Sequence, residues 1–397
     1  MGLMKYIVLI IDGAAGRPIP EKGDRTCLEL AATPNLDRLA AEGYSGLART
    51  VPAGMEPSSA CACMSVLGYD PVVYYKGRAS IEAASMGIPV GADEVVFRCN
   101  LVNIEDGKMC DYSAGHITSE ESAELIKALN QKLGSDDIKF FPGVGYRHIL
   151  KLKGRQESLK ATCTSPHDIP GKPVAEYLPR GGGSDFLRDL MRRAALVLKN
   201  HPVNIARREK GLLPVTDIWL FWGSGKLPPV PSFKEAYGRS AALTSGVDLL
   251  RGLGKMAGME ILDIKGVTDG ADNDNVAQAN GALKALQKHD LVVIHIEAPD
   301  EAGHSGSVAE KVKAIEKIDR EVVGALCQYK GDLRRLVMPD HPTPVAVRTH
   351  TPDPVPFLIW GKGVKASGAK RFTEAEAART GVFLGEGYKI MGKLLGE

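Results

Sequence analysis

The sequence has no long hydrophobic run. The only apolar stretch near its start, Tyr6 to Ile11, stops at Asp12, too short for the central segment of a signal peptide or for a membrane span. No targeting segment and no membrane role are expected. Gly2 is not expected to carry a lipid, because residue 6 is tyrosine where a myristoylation motif needs Ser or Thr. A dominant charge is missing too: 50 Lys and Arg against 48 Asp and Glu leave a net charge of +2. No global field then draws the chain to nucleic acid or an anionic membrane, and any anion binding must be local. Cysteines are few: seven, an odd and scattered set in a chain of this size, do not form the disulfide framework of a small secreted protein. Reduced thiols and a cytoplasmic location are expected. There is no Gly-x-x-x-x-Gly-Lys-Ser/Thr, which argues against P-loop ATP chemistry, and there are no internal repeats or low-complexity tracts.

What is present is a globular composition, 44% hydrophobic and 25% charged over 397 residues, a length that suits two domains or one domain carrying an insertion. Tyr6–Ile11, Leu291–Ile296 and Leu333–Met338 are continuous β-branched and aliphatic runs that predict buried strands. Similar runs recur at Ile218–Trp222 and Pro356–Trp360. Helical patterns lie between, at 34–42, 240–256, 276–288 and 308–327. Strands alternating with helices predict an α/β fold with a doubly wound, mostly parallel sheet. From about Val95 to Ser165 the pattern changes to short alternating segments, Phe97–Ile104, Lys108–Ala114 and Tyr146–Leu152, broken by one clear helix at Ser119–Leu133. That α+β stretch predicts a smaller inserted domain, residues 93–183, within a discontinuous main domain of 1–92 and 184–397. Gly87–Gly91 and Gly181-Gly182-Gly183 are the expected hinges.

Three of the predicted strands lead into a carboxylate: Asp12, Asp300 after a short connection, and Asp340. In open α/β sheets ligands collect beyond the carboxyl ends of the strands, so these aspartates are expected to converge. Taken singly, each also reads as a helix cap or an Asx turn. The histidines add weight: Asp300 and His304 stand at i and i+4, Asp340 and His341 are adjacent, and His350 follows. A carboxylate and imidazole set suits Mn²⁺ or Zn²⁺ better than Ca²⁺, and six such residues exceed the needs of one tetrahedral ion. Two divalent ions are expected, which together stabilise the entering and leaving oxygens of a phosphoryl displacement.

A site of this kind needs a nucleophile. Met55-Glu-Pro-Ser-Ser-Ala-Cys-Ala-Cys63 begins with a proline-marked turn and continues in small residues suited to a helix start, where N–H groups favour a phosphorylated side chain. Ser58 and Ser59 equally read as helix caps. The sequence here resembles the archaeal-type branch of the cofactor-independent phosphoglycerate mutases, within the alkaline phosphatase superfamily. The matching segments are Ile10-Ile-Asp-Gly13, Thr33-Pro-Asn-Leu-Asp-Arg-Leu39, Leu67-Gly-Tyr-Asp-Pro71, Phe97-Arg-Cys-Asn-Leu-Val102, Asp111-Tyr-Ser-Ala-Gly-His116, Asp300 with His304, Asp340-His341, and His350 with Asp353-Pro-Val-Pro356. The resemblance implies an alkaline phosphatase-like fold and a phosphoserine on Ser59. It implies one ion on Asp12, Ser59, Asp340 and His341 and another on Asp300, His304 and His350. Manganese is the usual metal, with Zn²⁺, Mg²⁺ and Co²⁺ as alternatives. One departure stands out: the family usually has Gly-Ser-Asp around the nucleophile, then His or Asn four residues after the serine. This chain has Ser58-Ser59-Ala60 and Cys63. Cys61 and Cys63 read as small buried thiols or as soft metal ligands.

A carboxylated, phosphorylated substrate such as phosphoglycerate needs fixed cations, and arginine matches both groups bidentately. Arg98, Arg147-His148 and His167-Asp168 fall near predicted strand ends of the inserted domain, in segments that resemble the family's. His116 and His148 are candidate acids or bases. Arg239 and Lys226 are further phosphate candidates near loops, and equally plain exposed charges. The expected activity is interconversion of 3- and 2-phosphoglycerate. The alternative keeps the chemistry and changes the substrate, as in a homoserine kinase or another phosphotransferase. A nicotinamide oxidoreductase is disfavoured because Gly252-Leu-Gly254 and Gly258 have the wrong spacing and fall within a helical pattern. A non-catalytic scaffold with a degenerate site would lack ligands, and all seven are present.

Overall fold

The computed structural model describes residues 4–396, so Gly2 lies outside the described residues. The chain divides into two compact units, one of residues 1–75 with 229–397 and the other of residues 76–228.

The first unit is built on an eight-stranded sheet. Its order is Glu260–Ile261, Ala241–Thr244, Leu291–Ile296, Lys5–Ile11, Leu333–Met338, Val355–Gly361, Tyr44–Ala48 and Phe383–Leu384. Five of these strands run parallel in succession, and Val355–Gly361 runs antiparallel to both its neighbours. Lys5–Ile11 lies at the centre, pairing Ile10 with His295 on one side and with Met338 on the other. Residues Ile7 to Ile11 are fully enclosed, as a continuous apolar strand requires when helices cover both faces. Ile7, Leu9 and Ile11 pack with Leu36, Leu39 and Ile315 from two of those helices.

Helix Pro34–Glu42 starts without a side-chain bond from its own cap residue, Thr33. The buried Asp319 carboxylate replaces it, accepting from Leu36 N at 2.7 Å and Asn35 N at 3.2 Å, which satisfies donors that a helix start leaves open. Asp319 opens a π turn, Asp319–Val323, between helices Val308–Ile318 and Gly324–Cys327. The helical pattern at 308–327 is therefore continuous but widened at the point where it caps a neighbour.

The second unit carries a five-stranded antiparallel sheet around the long strand Glu94–Glu105. Arg147–Lys153 and Lys108–Asp111 pair along one edge of it, and Asp217–Gly225 pairs along the other. Ile138–Phe141 extends the sheet, and the helices Ser119–Leu133 and Ser184–Leu198 bury Leu125, Leu129, Leu187 and Leu190 in its core.

Three expectations are corrected. The run Ile218–Trp222 joins this antiparallel sheet instead of the parallel one. The helix expected at 240–256 is a strand, Ala241–Thr244, followed by the helix Asp248–Met256, because Ala-Ala-Leu-Thr fills a gap beside Leu291–Ile294. The unit boundaries fall at 75/76 and 228/229 instead of 92/93 and 183/184, so both expected glycine hinges lie inside the second unit. Helix Arg78–Ser85 belongs there because Ser80 N and Oγ bond Ser224 Oγ at 2.7 and 2.8 Å. Gly183, with φ of 71°, starts the helix Ser184–Leu198.

Leu9→Ala is expected to lower the stability of the first unit by about 2–5 kcal/mol, as truncation in a closed core does. Leu196→Ala, at an exposed position, should cost under about 0.5 kcal/mol. Urea unfolding midpoints of the two variants check this.

Candidate metal centre

The central strands end side by side, at the spacing of hydrogen-bonded neighbours of about 4.8 Å. Asp12 directly follows Ile11, Asp340 comes two residues after Met338, and His295 is the next-to-last residue of its strand, opposite Ile10. Glu297 follows that strand, and helix Ala298–Ser305 then carries Asp300 and His304 one turn apart. Asp12, Asp340 and His341 are fully enclosed and Asp300 is 3% exposed.

The contacts bring together all seven residues expected to hold metal. His341 Nε2 lies 3.6 Å from Asp12 Oδ1, 3.3 Å from Asp340 Oδ2 and 3.1 Å from Ser59 Oγ. His304 Nε2 lies 3.1 Å from Asp300 Oδ2 and 3.0 Å from His350 Nε2, and His350 Nε2 lies 3.6 Å from Asp300 Oδ1. The rings of His341 and His350 stack with centroids 3.8 Å apart, so the two sets adjoin. Donor atoms of Asp12, Asp340 and His341 lie within 4.8 Å of one another, as do those of Asp300, His341 and His350.

The two serines divide the two readings of their segment. Ser58 caps helix Ser59–Val66, accepting from Cys61 N at 3.3 Å. Ser59 is the first helical residue, 7% exposed, and turns its hydroxyl to His341. A helix start is a favourable place for an anion.

Glycine is required at one position. Gly13 has φ of +60°, and a Cβ there would meet Asp300 Oδ1 at 2.4 Å and Asp300 Cα at 2.7 Å. Its N–H also reaches Asp340 Oδ1 at 3.2 Å. The buried Lys311 ammonium ties two ligand-bearing loops together by donating to Ala15 O at 3.0 Å and Thr343 O at 2.7 Å. Thr343 in turn bonds Asp300 through its hydroxyl and lies 3.2 Å from His341 Nδ1.

The electrostatics fit a cation. Burial, and then the Asp340 and Asp300 charges, push Asp12 well above the usual carboxylate range. Burial and then Asp12 do the same to Glu297. Burial also works against ionised Asp300, but hydrogen bonds from His304 and His350 outweigh it and hold that carboxyl well below the usual range. Asp340 is likewise lowered against its burial, chiefly by His341. His341 falls to about 4 through burial. His304 rises to about 9, because Asp300 outweighs the opposing effect of burial. Asp12 Oδ1 is buried and accepts no hydrogen bond. Four carboxyls gathered with two imidazole-rich sets could hold divalent metal, and oxygen with imidazole nitrogen suits Mn²⁺ or Zn²⁺.

Sequence reasoning missed His295, Glu297 and Thr343, and left Cys63 among plain buried thiols as its first reading. Cys63 Sγ lies 3.2 Å from Asp340 Oδ2, whereas Cys61 packs with Val51 and Ala62. An imidazole inside a buried apolar strand was the available signal for His295.

The second unit holds its own cationic cluster. Glu82 pairs with Arg98 and, at 2.8 Å, with Arg78. Arg98 Nε also donates to Asn100 Oδ1 at 3.0 Å. Burial, partly offset by the Glu82 charge, lowers the Arg98 pKa. His167 stacks parallel to Trp222 at 6.4 Å, and Arg78 lies 4.0 Å over the Trp222 ring. His167 is lowered to about 4 by burial and then by Arg98 and Arg78. Arg147 lies over the Tyr146 ring at 5.8 Å and adds to the positive field on Arg98 and His167. Arg78, Glu82 and Trp222 were not singled out from sequence. His148 is buried, accepts from Gly143 N at 3.0 Å and is lowered to about 3 by burial, which leaves it neutral near pH 7. His116, Asp168 and Lys226 are exposed. His116 has φ of 51°.

Arg239 is corrected. It is exposed, lies 6.0 Å from the Tyr6 ring and precedes strand Ala241–Thr244. Tyr6 is the second residue of the strand that Asp12 follows, so Arg239 stands at the opposite end of the sheet, roughly 20 Å away at 3.3 Å per residue.

A family model described as 2,3-bisphosphoglycerate-independent phosphoglycerate mutase matches residues 40–204. The protein of that name from Methanothrix thermoacetophila is 48% identical to this chain, covering 99% of it and 100% of the relative. That from Methanosarcina barkeri is 46% identical, covering 95% and 96%. Among solved structures, a Pyrococcus horikoshii protein is 27% identical with a TM-score of 0.82, covering 100% of this chain and 97% of that one. The cofactor-independent phosphoglycerate mutase of Thermoplasma acidophilum is 26% identical with a TM-score of 0.65, covering 99% of each chain.

The raised pKa of His304 fixes a sign in protein treated with chelator. Its pairing with Asp300 stabilises the fold fully below the ordinary imidazole pKa of about 6.5, and that contribution is lost as pH rises through about 9. Melting temperatures at both ends of this range, for the wild type and for His304→Gln, check this: the two proteins should differ at the acid end and converge at the alkaline end. A second expectation concerns Gly13→Ala, which should weaken divalent-ion binding by at least about tenfold, since displacing a ligand's support costs 10–100-fold. Isothermal titration with Mn²⁺ measures it.

Proposed function

The chain belongs to the 2,3-bisphosphoglycerate-independent phosphoglycerate mutase family, and from that premise we propose that it interconverts 3-phosphoglycerate and 2-phosphoglycerate through a phosphoserine on Ser59. The observation that carries the reading is the position of Ser59: at a helix start, its hydroxyl 3.1 Å from an imidazole that adjoins both carboxylate sets. Asp12, Ser59, Asp340 and His341 would hold one divalent cation and Asp300, His304 and His350 the other, with Mn²⁺ as the first choice. Such ions, when bound, act as Lewis acids on phosphoryl oxygens and lower the pKa of a coordinated hydroxyl.

Ser59 Oγ forms the bond to phosphorus while the bond from phosphorus to the 3-oxygen of the substrate breaks. The serine proton ends on the freed glycerate oxygen. In the return step the 2-hydroxyl attacks the phosphoserine, and its proton ends on Ser59 Oγ. The amino end of helix Ser59–Val66 favours the phosphoserine dianion between the two steps. No nucleotide enters this balance, which fits the missing P-loop. A role in glycolysis or gluconeogenesis would place the enzyme in the cytoplasm.

The carboxylate of the substrate needs a cationic partner. Arg98 and Arg147 are the candidates for it. Planar guanidinium groups match carboxylate bidentately.

Direct assay of 3-phosphoglycerate conversion with Mn²⁺ and no ATP tests the function, and activity that needed ATP and homoserine would overturn it. Ser59→Ala should lower kcat by about 10³-fold or more, as loss of a nucleophile does, and should yield no phosphoprotein from labelled substrate. Full activity in that variant with metal bound would sink the phosphoserine scheme. Arg147→Ala should raise KM by about tenfold or more, since a hydrogen bond to a charged group is worth about 1.5–3 kcal/mol, with a smaller change in kcat.

A further inference from the structure

Two donors beside Asp12 belong to neither ion set. Cys63 and His295 are both buried, and with Asp12 they form a third group whose donor atoms all lie within 4.8 Å of one another. His295 Nε2 is 2.7 Å from Asp12 Oδ2 and 3.6 Å from Glu297 Oε2. No hydrogen bond reaches that glutamate oxygen. On the other side of the ring, His295 Nδ1 pairs with Ser245 Oγ at 3.0 Å, and Ser245 Oγ is itself held by Val247 N at 2.9 Å. The imidazole is therefore fixed with Nε2 directed at the two carboxylates. Metal-ligating histidines are oriented through the second ring nitrogen in the same way.

We propose that Asp12, Cys63, His295 and Glu297 form a third cation site, which takes a thiophilic divalent ion of the Zn²⁺ or Co²⁺ type. One sulfur, one imidazole nitrogen and two carboxylate oxygens make a four-donor set of mixed softness, unlike the oxygen-rich sets preferred by Mg²⁺ and Mn²⁺. Donors around a tetrahedral ion at about 2.0–2.3 Å stand about 3.3–3.8 Å apart. The 3.6 Å separation of His295 and Glu297 already meets this, and the 2.7 Å contact between His295 and Asp12 opens by under 1 Å. Binding releases the Cys63 thiol proton to solvent. Asp12 would then bridge, with Oδ1 toward His341 and Oδ2 toward His295, so the third ion would hold a carboxylate that the reacting pair depends on. Lys311, the buried cation nearby, cannot replace it because its ammonium is committed to two loop carbonyls.

The count of three rests on the two-ion reading above, and the test separates the two ideas. Full-length protein is stripped with chelator and titrated with Co²⁺ alone, following bound metal and the near-ultraviolet thiolate-to-cobalt charge-transfer band. Three equivalents are expected, with the band saturating at one of them. Cys63→Ser should lose the band and retain two equivalents, and His295→Gln should also fall to two. Two equivalents without a thiolate band in the wild type would overturn the third site. So would two equivalents with the band, because Cys63 would then serve the reacting pair. Fewer than two equivalents with the band retained would leave this site standing and remove the paired-ion reading. The wild-type titration decides the matter even where a variant fails to fold.

Discussion

The structure depends on holding like charges together. Asp12, Glu297, Asp300 and Asp340 gather at the ends of three neighbouring parallel strands, where burial and then the charges of neighbouring carboxylates drive Asp12 and Glu297 toward the protonated form. Such a cluster stays buried only if protons, imidazoles or bound cations offset its charge. Bound divalent ions would answer that requirement, and the same ions would serve phosphoryl transfer. The cost in folding energy and the capacity for catalysis come from one arrangement.

The surrounding residues keep that arrangement rigid. Gly13 lets the first loop pass against Asp300 where any side chain would collide. Lys311 ties the loop after Asp12 to the loop after His341, and Thr343 links the latter to Asp300. These residues tie the segments that carry Asp12, Asp300 and His341 to one another. Ser59 is placed by a different device: Ser58 takes the capping role, and its neighbour is free to present a hydroxyl to the imidazole. Two adjacent serines thus perform the two tasks between which a single serine would have to choose.

The second unit solves a separate problem with other means. Arg98 is buried and would be costly alone, so Glu82 accompanies it, and Arg78 shares the same carboxylate while lying on Trp222. One acid shared by two arginines leaves a local positive excess in a chain whose total charge is nearly balanced. Anion binding is therefore possible without a global field.

The sequence by itself determined the central strands and singled out the aspartates, histidines and serine that the structure gathers at their ends. Continuous apolar runs ending in Asp are legible without coordinates, and Asp300 with His304 announces itself by helical spacing. Only the tertiary structure decided what a one-dimensional pattern does not encode. Ala241–Thr244 is a strand because a neighbouring strand offers it partners. Ile218–Trp222 joins the antiparallel sheet because Glu94–Glu105 lies beside it, and a buried run looks the same in either sheet. Arg239 falls at the far end of the sheet because direction along a strand, unlike periodicity, places a side chain at one end or the other. Cys63 and His295 looked like core residues, and in composition they are. Their position against Asp12 and Asp340 comes from contacts between segments hundreds of residues apart.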